Sequence, residues 1–267
     1  MKILVIYHSG VGNTKLVSKL IYNQLSKYKQ CDIYGIESVP HNLNFDEYDG
    51  YVIGFPTFHS RPSDDIINYF NGIRPIRDKK PAFIFTTCGW YSVNTLRIFT
   101  KICFAKGIIP VMSRTYRCIA TDGVLIAPAF KFLFDFDKKL SYKIRIDSYK
   151  YIDIIKNQNL VAKIPRVKLY SIINYPNAFL GGKYTVKINL IKSKCIQCGR
   201  CVKNCNVLAY STNSDGYPEF DRPKCVNCYR CIHHCPMSAL TIHKRRSPTV
   251  LLNEKFYCTK EDEFSNL

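Results

Sequence analysis

Cys195, Cys198 and Cys201 stand three apart with Cys205 four further on, and the same spacing returns 30 residues later at Cys225, Cys228, Cys231 and Cys235. Flanking residues repeat too: Lys194 with Lys224, Gln197 with Asn227, Arg200 with Arg230, Ala209 with Ala239. The region is an internal duplication. A C-x2-C-x2-C-x3-C run is an iron–sulfur arrangement in which three closely spaced thiolates hold one cluster and the fourth cysteine reaches across to the other. The spacing therefore assigns Cys195, Cys198, Cys201 and Cys235 to one 4Fe-4S cluster, and Cys225, Cys228, Cys231 and Cys205 to a second. Zinc sites use cysteine pairs instead of triplets. His233 and His234, between Cys231 and Cys235, read as loop residues with solvent-facing rings.

A second chemistry is written near the amino terminus, where YHSGVGNT, Tyr7 to Thr14, follows an apolar run and precedes a helix-like pattern. An ATP or GTP loop needs G-x-x-x-x-G-K-[ST], and no glycine here lies five before a Gly-Lys pair. A dinucleotide fingerprint needs a third glycine where Lys15 stands. What remains is a cup for a small dianion. Ser9, Asn13 and Thr14 offer side-chain donors, Gly10 and Gly12 let the backbone close, and the helix amino terminus favours negative charge. Val11, between the two glycines, brings no side-chain donor. A terminal monophosphate suits this cup.

Both sites must be carried by regular elements. Apolar runs predict strands over residues 2–7, 31–36, 50–54, 82–87 and 108–116, and amphipathic periodicity predicts helices over 14–27, 63–71, 93–106 and 149–157. Strands alternating with helices imply an α/β fold with a parallel sheet covered on both faces. Residues 120–147 break the rhythm. Phenylalanines at 130, 132, 134 and 136 have strand periodicity between flanks that suit helix equally, and the segment reads as a packing insertion in preference to a cover for a ligand site. Pro165, Pro176 and Gly181-Gly182 mark a connecting segment. The expected division is 1–158, a connector over 159–190, a cysteine-rich domain over 191–246, and a loosely packed tail over 247–267.

A chain of 267 residues suits roughly two domains. With 46% hydrophobic and 22% charged residues it has the makings of a core and no mark of disorder. No run approaches the length of a membrane span and no signal-peptide layout is present, so the expected compartment is cytoplasmic, where clustered cysteines serve metal. The net charge of +19 is spread without any basic block of five or more. It reads as a Lys-rich solvated surface suited to an acidic redox partner protein, in preference to nucleic acid or a membrane.

The stretch from Lys194 to Ile242 resembles the two-cluster bacterial ferredoxins in its ligands, its SDGYP turn and Cys235-Pro236, with Asn206 departing from the proline usual after the fourth cysteine. S-G-V-G-N-T resembles the flavodoxin phosphate loop T-G-T-G-N-T, and DGYVIGFPTF (49–58) and TTCGWY (86–91) resemble the loops that follow later flavodoxin strands. That likeness implies a doubly wound sheet of order 2-1-3-4-5, with FMN at the carboxyl ends of strands one, three and four. Pro56, Thr57 and Phe58 on one side, and Thr87, Cys88, Gly89 and Trp90 on the other, would flank the isoalloxazine, with Trp90 or Tyr91 stacking. Cys88 reads as a small buried hydrophobe before a redox thiol. Taken whole, the chain resembles the flavodoxin–ferredoxin fusion family, the ferrodoxins. The resemblance implies an electron-transfer protein relaying electrons between two 4Fe-4S clusters and FMN. No dedicated acid, base or nucleophile stands out. The alternatives are reduction of a small organic acceptor, a quinone or nitro compound, with His8 or His59 giving protons, and a redox docking module of a larger oxidoreductase.

Overall fold

The computed structural model describes residues 1–158, 160–168, 187–242 and 246–265. Five parallel strands, β1 (Lys2–Tyr7), β2 (Gln30–Gly35), β3 (Gly50–Phe58), β5 (Lys80–Cys88) and β6 (Ile108–Arg117), lie in the order β2-β1-β3-β5-β6, and the short β4 (Arg61–Pro62) folds back on β3. Counting the parallel strands alone, this is the flavodoxin-like order 2-1-3-4-5. The apolar run of β1 explains the layering. Ile3 and Val5 enter one core while Leu4 and Ile6 enter the other, so every side chain of the run is buried. Helices α1 (Asn13–Leu25) and α5 (Leu140–Lys156) cover the first face, and α2 (Asp64–Gly72) and α3 (Thr95–Ala105) cover the second.

Three stretches differ from the sequence expectation. Strand β3 runs on to Phe58 because it pairs with β4, Thr57 opposite Pro62 and Phe58 opposite Arg61, through a turn of two residues. That turn holds His59 and Ser60 at φ 46° and 65°, the double left-handed geometry that matches strand twist in tight hairpins. The phenylalanine-rich segment forms no strand. Helix α4 (Gly123–Ile126) and a 3-10 turn over Pro128–Phe134 occupy it, and α5 begins at Leu140, nine residues ahead of the predicted start. Proline at the start of the turn presets helical φ, and the phenylalanines divide, Phe130 and Phe132 exposed and Phe136 buried.

The expected loose tail is a correction. Residues Glu254–Ser265 form a helix packed against α1 and α5. Leu252, Phe256 and Phe264 sit at multiples of four, and Leu252 and Phe264 are buried in the first core, where Phe256 stacks on Phe136. The charged run KEDEF conceals that stripe in the sequence.

The smaller ferredoxin-like half comprises helices α6 (Arg200–Lys203) and α7 (Arg230–His233), with strand pairs β7 (Asn189–Leu190) with β10 (Leu240–Thr241) and β8 (Tyr210–Thr212) with β9 (Pro218–Phe220). The tail helix is accordingly α8. Strand β7 lies inside the stretch expected as connector, whose residues 169–186, including Pro176 and Gly181-Gly182, fall outside the described residues. The duplication is legible in the backbone. Gln197 and Asn227, Gly199 and Tyr229, and Leu208 and Ser238 are pairs 30 residues apart, each with both members at positive φ.

Candidate functional site

At the carboxyl edge of the sheet a cleft of about 230 Å³ is lined by Ser9, Gly10, Val11, Asn13 and Thr14 after β1, by Pro56 to His59 at the end of β3, and by Thr87 to Gly89 at the end of β5. Residues 119–122 close one side, so part of the segment read as packing also covers the cleft. The remaining wall comes from the other half of the molecule, from Asn227, Cys228 and Tyr229.

The phosphate-loop side chains are held in three different ways. Thr14 and Thr87 share a hydroxyl–hydroxyl hydrogen bond of 2.8 Å, tying the loop to β5. The Asn13 amide donates to the Ile119 carbonyl at 2.7 Å and accepts from the Tyr257 hydroxyl at 3.1 Å, so its orientation is fixed from both ends. Ser9 alone is left over. Its hydroxyl is buried with no partner among the described residues, a costly arrangement unless a ligand supplies one. Helix α1 starts at this loop with no side-chain cap and no acidic residue in its first turn, which favours an anion there. The orphan hydroxyl and the bare helix end fit the phosphate of FMN.

Steric limits explain two glycines. A Cβ on Gly10 would come within 2.9 Å of Phe58 Cζ and 3.5 Å of Cys228 Cβ, and one on Gly12 would collide with the Tyr257 ring. Across the cleft, Thr86 donates to the Phe55 carbonyl at 2.9 Å, so its contact of 2.8 Å with Thr57 is one in which Thr57 donates. Cys88 lines the cleft, and burial pushes its thiol up to about 11. Trp90 does not line it. It is 59% exposed, its ring edge-on to Tyr91, which is also exposed.

The cysteines gather in two sets. Cys195, Cys198, Cys201 and Cys235 line a single cavity with Ile196 and Met237. Cys205 joins Cys225, Cys228 and Cys231, whose thiols are raised first by burial and further by one another and by Cys205. Amides of Ala209, Asn227 and Ala239 donate to Cys205, Cys225 and Cys235, contacts of the kind that set cluster potentials. Burial chiefly pushes Cys201 and Cys228 up to about 11, so loading would exchange protons for iron. Among the described residues no three His, Cys, Asp or Glu side chains converge on a single ion.

His233 and His234 are not solvent-facing. His233 is buried. It accepts from the Leu252 amide at Nδ1 and therefore donates from Nε2 to the Thr121 carbonyl at 3.0 Å. Burial lowers its pKa to about 4, keeping it neutral. His234 reaches the Val11 carbonyl at 3.0 Å, and burial lowers its pKa as well. Arg230 donates to the Ser9 carbonyl at 3.2 Å and to Asn206 at 3.0 Å, and Asn206 donates to Glu37 at 3.1 Å. The residue that departs from the ferredoxin proline thus bridges the two halves. His8 lies outside the cleft, against Ser63, Asp65 and Glu37, and burial lowers its pKa to about 4. His59 lines the cleft, and burial lowers its pKa too.

Sequence reading missed Arg230, Tyr229, Asn227 and Tyr257 as parts of this region. Arg230 and Asn227 carried a signal, their recurrence 30 residues from Arg200 and Gln197.

Two regions of the chain match known domain families. Residues 4–105 match the family model of a flavodoxin domain, and residues 194–240 that of a 4Fe-4S dicluster domain. No curated protein matches the chain. Among solved structures, a flavodoxin from the domain Archaea is 18% identical, covering 58% of this chain and 99% of its own at a TM-score of 0.44. Flavodoxin 1 from Bacillus cereus is 16% identical, covering 57% and 98% at 0.45. The flavodiiron protein from Giardia intestinalis is 15% identical, covering 60% and 38% at 0.43. No described helix is long and apolar enough to cross a membrane.

Proposed function

We propose that this chain, which joins a flavodoxin domain to a 4Fe-4S dicluster domain in a flavodoxin–ferredoxin fusion architecture, is an FMN and iron–sulfur electron-transfer protein that relays electrons internally between two 4Fe-4S clusters and FMN. One observation carries the reading. Cys228, a ligand of the inner cluster, stands in the wall of the same cleft as Ser9, Thr14, Thr57 and Thr87. When bound, FMN exchanges one or two electrons and each cluster one.

The chain's own residues supply position. Ser9 and the first turn of α1 would hold the phosphate, while Thr87 and Thr57, bonded to Thr14 and Thr86, fix the loops that would flank the ring. Arg230 and His234 pin the inner cysteine loop to the phosphate loop through the Ser9 and Val11 carbonyls, and His233 pins it to the Thr121 carbonyl in the wall of the cleft. Bonds to carbonyls hold a distance without depending on a neighbouring side chain's rotamer. Asn227, Tyr229 and residues 119–122 narrow the access of water. The thiols suit a reducing compartment, and we place the protein in the cytoplasm.

The test is anaerobic purification with iron, sulfide and flavin analysis, followed by stepwise photoreduction. Iron matching two cubanes for each FMN, with flavin and cluster spectra changing together within one chain, is the expected result. Loaded clusters with a cleft that takes up no FMN would overturn it.

A further inference from the structure

We infer that the solvent-facing surface around the first cysteine triplet is the docking site of a small acidic electron-transfer protein, making that end of the molecule the external port of the relay. The inference rests on the cluster assignment proposed above. The two triplet loops are alike in backbone and opposite in setting. Around the inner one, Asn227 and Tyr229 are buried and Cys228 faces the cleft, so no protein can approach. Around the outer one, Cys198 is exposed, and Ile196 and Met237, which line the cavity of the outer quartet, are 59% and 45% exposed. Two apolar side chains over a redox site have no structural use facing water. They suit the dry centre of a contact.

Charge defines the partner. Lys192, Lys194, Arg200 and Lys203 surround this loop, all exposed. None of them forms an ion pair among the described residues. From Lys187 to Ile242 the chain carries eight Lys or Arg and three Asp or Glu. A basic rim round an apolar centre steers an acidic partner and orients it. A second copy of this chain would bring the same charge against itself, and a nucleic acid would make no use of Ile196 and Met237. On contact, one electron leaves the reduced partner and is taken up at the outer quartet; no bond changes and no proton moves.

The test uses the anaerobic holo-protein and, as probe, an acidic plant-type 2Fe-2S ferredoxin, with binding read by calorimetry. Lys194→Glu with Arg200→Glu should weaken binding at least tenfold. Lys150→Glu with Lys156→Glu, the same charge change on exposed positions of α5, should weaken it less than twofold. Ile196→Ser, which keeps the charge, should weaken binding several-fold without altering its salt dependence. Iron content of each variant shows that the quartet still loads. Equal weakening by both charge pairs, no weakening by the first, or a dimer of the holo-protein that the first pair abolishes would overturn the inference. So would binding of a DNA oligonucleotide in place of the ferredoxin at this face. Binding is read without electron flow, so failure of the internal relay would leave this comparison intact and be distinguished from it.

Discussion

Gln197 and Asn227 hold the same left-handed position in their respective loops, at φ 54° and 55°, yet Gln197 faces solvent and Asn227 is buried at the flavin cleft. Arg200 and Arg230 diverge in the same way. The first points to water, and the second is spent on the Ser9 carbonyl and Asn206. The fourth positions diverge as well. Pro236, after the cysteine that completes the outer quartet, keeps the ferredoxin residue, while Asn206, after the cysteine that completes the inner quartet, replaces it where a side chain reaches across to Glu37. A duplicated unit can therefore keep one metal-binding backbone and assign inside and outside through the residues between its ligands.

The strongest way to break this comparison is to remove one ligand at a time. Cys228→Ala should halve the iron and abolish exchange between cluster and flavin. Cys198→Ala should also halve the iron but leave the flavin exchanging with the inner quartet, seen by photoreduction followed by low-temperature EPR. Next in size is a pH effect. His8 titrates at about 4 in the folded chain against an ordinary 6.5, with burial the main cause. A depressed histidine pKa means the unfolded chain binds the proton first as pH falls. Its share of stability, roughly 3 kcal/mol from that interval, is full above 6.5 and lost as pH drops toward 4. Denaturant melts of the wild type should fall across that window, and His8→Gln should flatten the slope.

Smaller effects separate the cleft from the clusters. Ser9→Ala removes the unpartnered hydroxyl, and flavin fluorescence titration should show FMN binding about tenfold weaker, near 1.4 kcal/mol, with iron unchanged. Asn206→Pro gives the first repeat the residue of the second. It should keep both clusters but weaken the junction by about 1 kcal/mol, read as faster proteolysis between the halves. The least expected change is Tyr257→Phe, a loss of about 0.5 kcal/mol in FMN affinity through a less firmly held Asn13.

The sequence carried the parts whose physics is local. Apolar runs marked the central strands because both of their faces are buried, and thiol spacing marked each triplet because its three cysteines sit within one short loop. Contacts across long separations left no such mark. Nothing near Tyr257 says that it packs on Gly12, and nothing near His233 says that its ring is taken by Thr121 and Leu252. The phenylalanines at 130–136 misled for a related reason. Their alternation mimics a strand, but the proline-led 3-10 turn leaves Phe130 and Phe132 in solvent and sends Phe136 to meet a helix more than a hundred residues away. Trp90, read as a stacking residue from its loop, stands outside the cleft because the chain turns toward solvent just past Gly89.

Helix α8 packs with the first domain although it follows the cysteine-rich half in the chain. Phe264 fills the core beside α1 and α5, and Tyr257 backs the phosphate loop. On the ribosome, the amino-terminal domain must wait with an open flank while the metal-binding half is synthesised. A chain halted between Tyr229 and Leu252 would carry every residue that lines the cleft and still lack the clasp that shuts it. Biogenesis is thereby ordered, with closure of the flavodoxin half following translation of all eight cysteines.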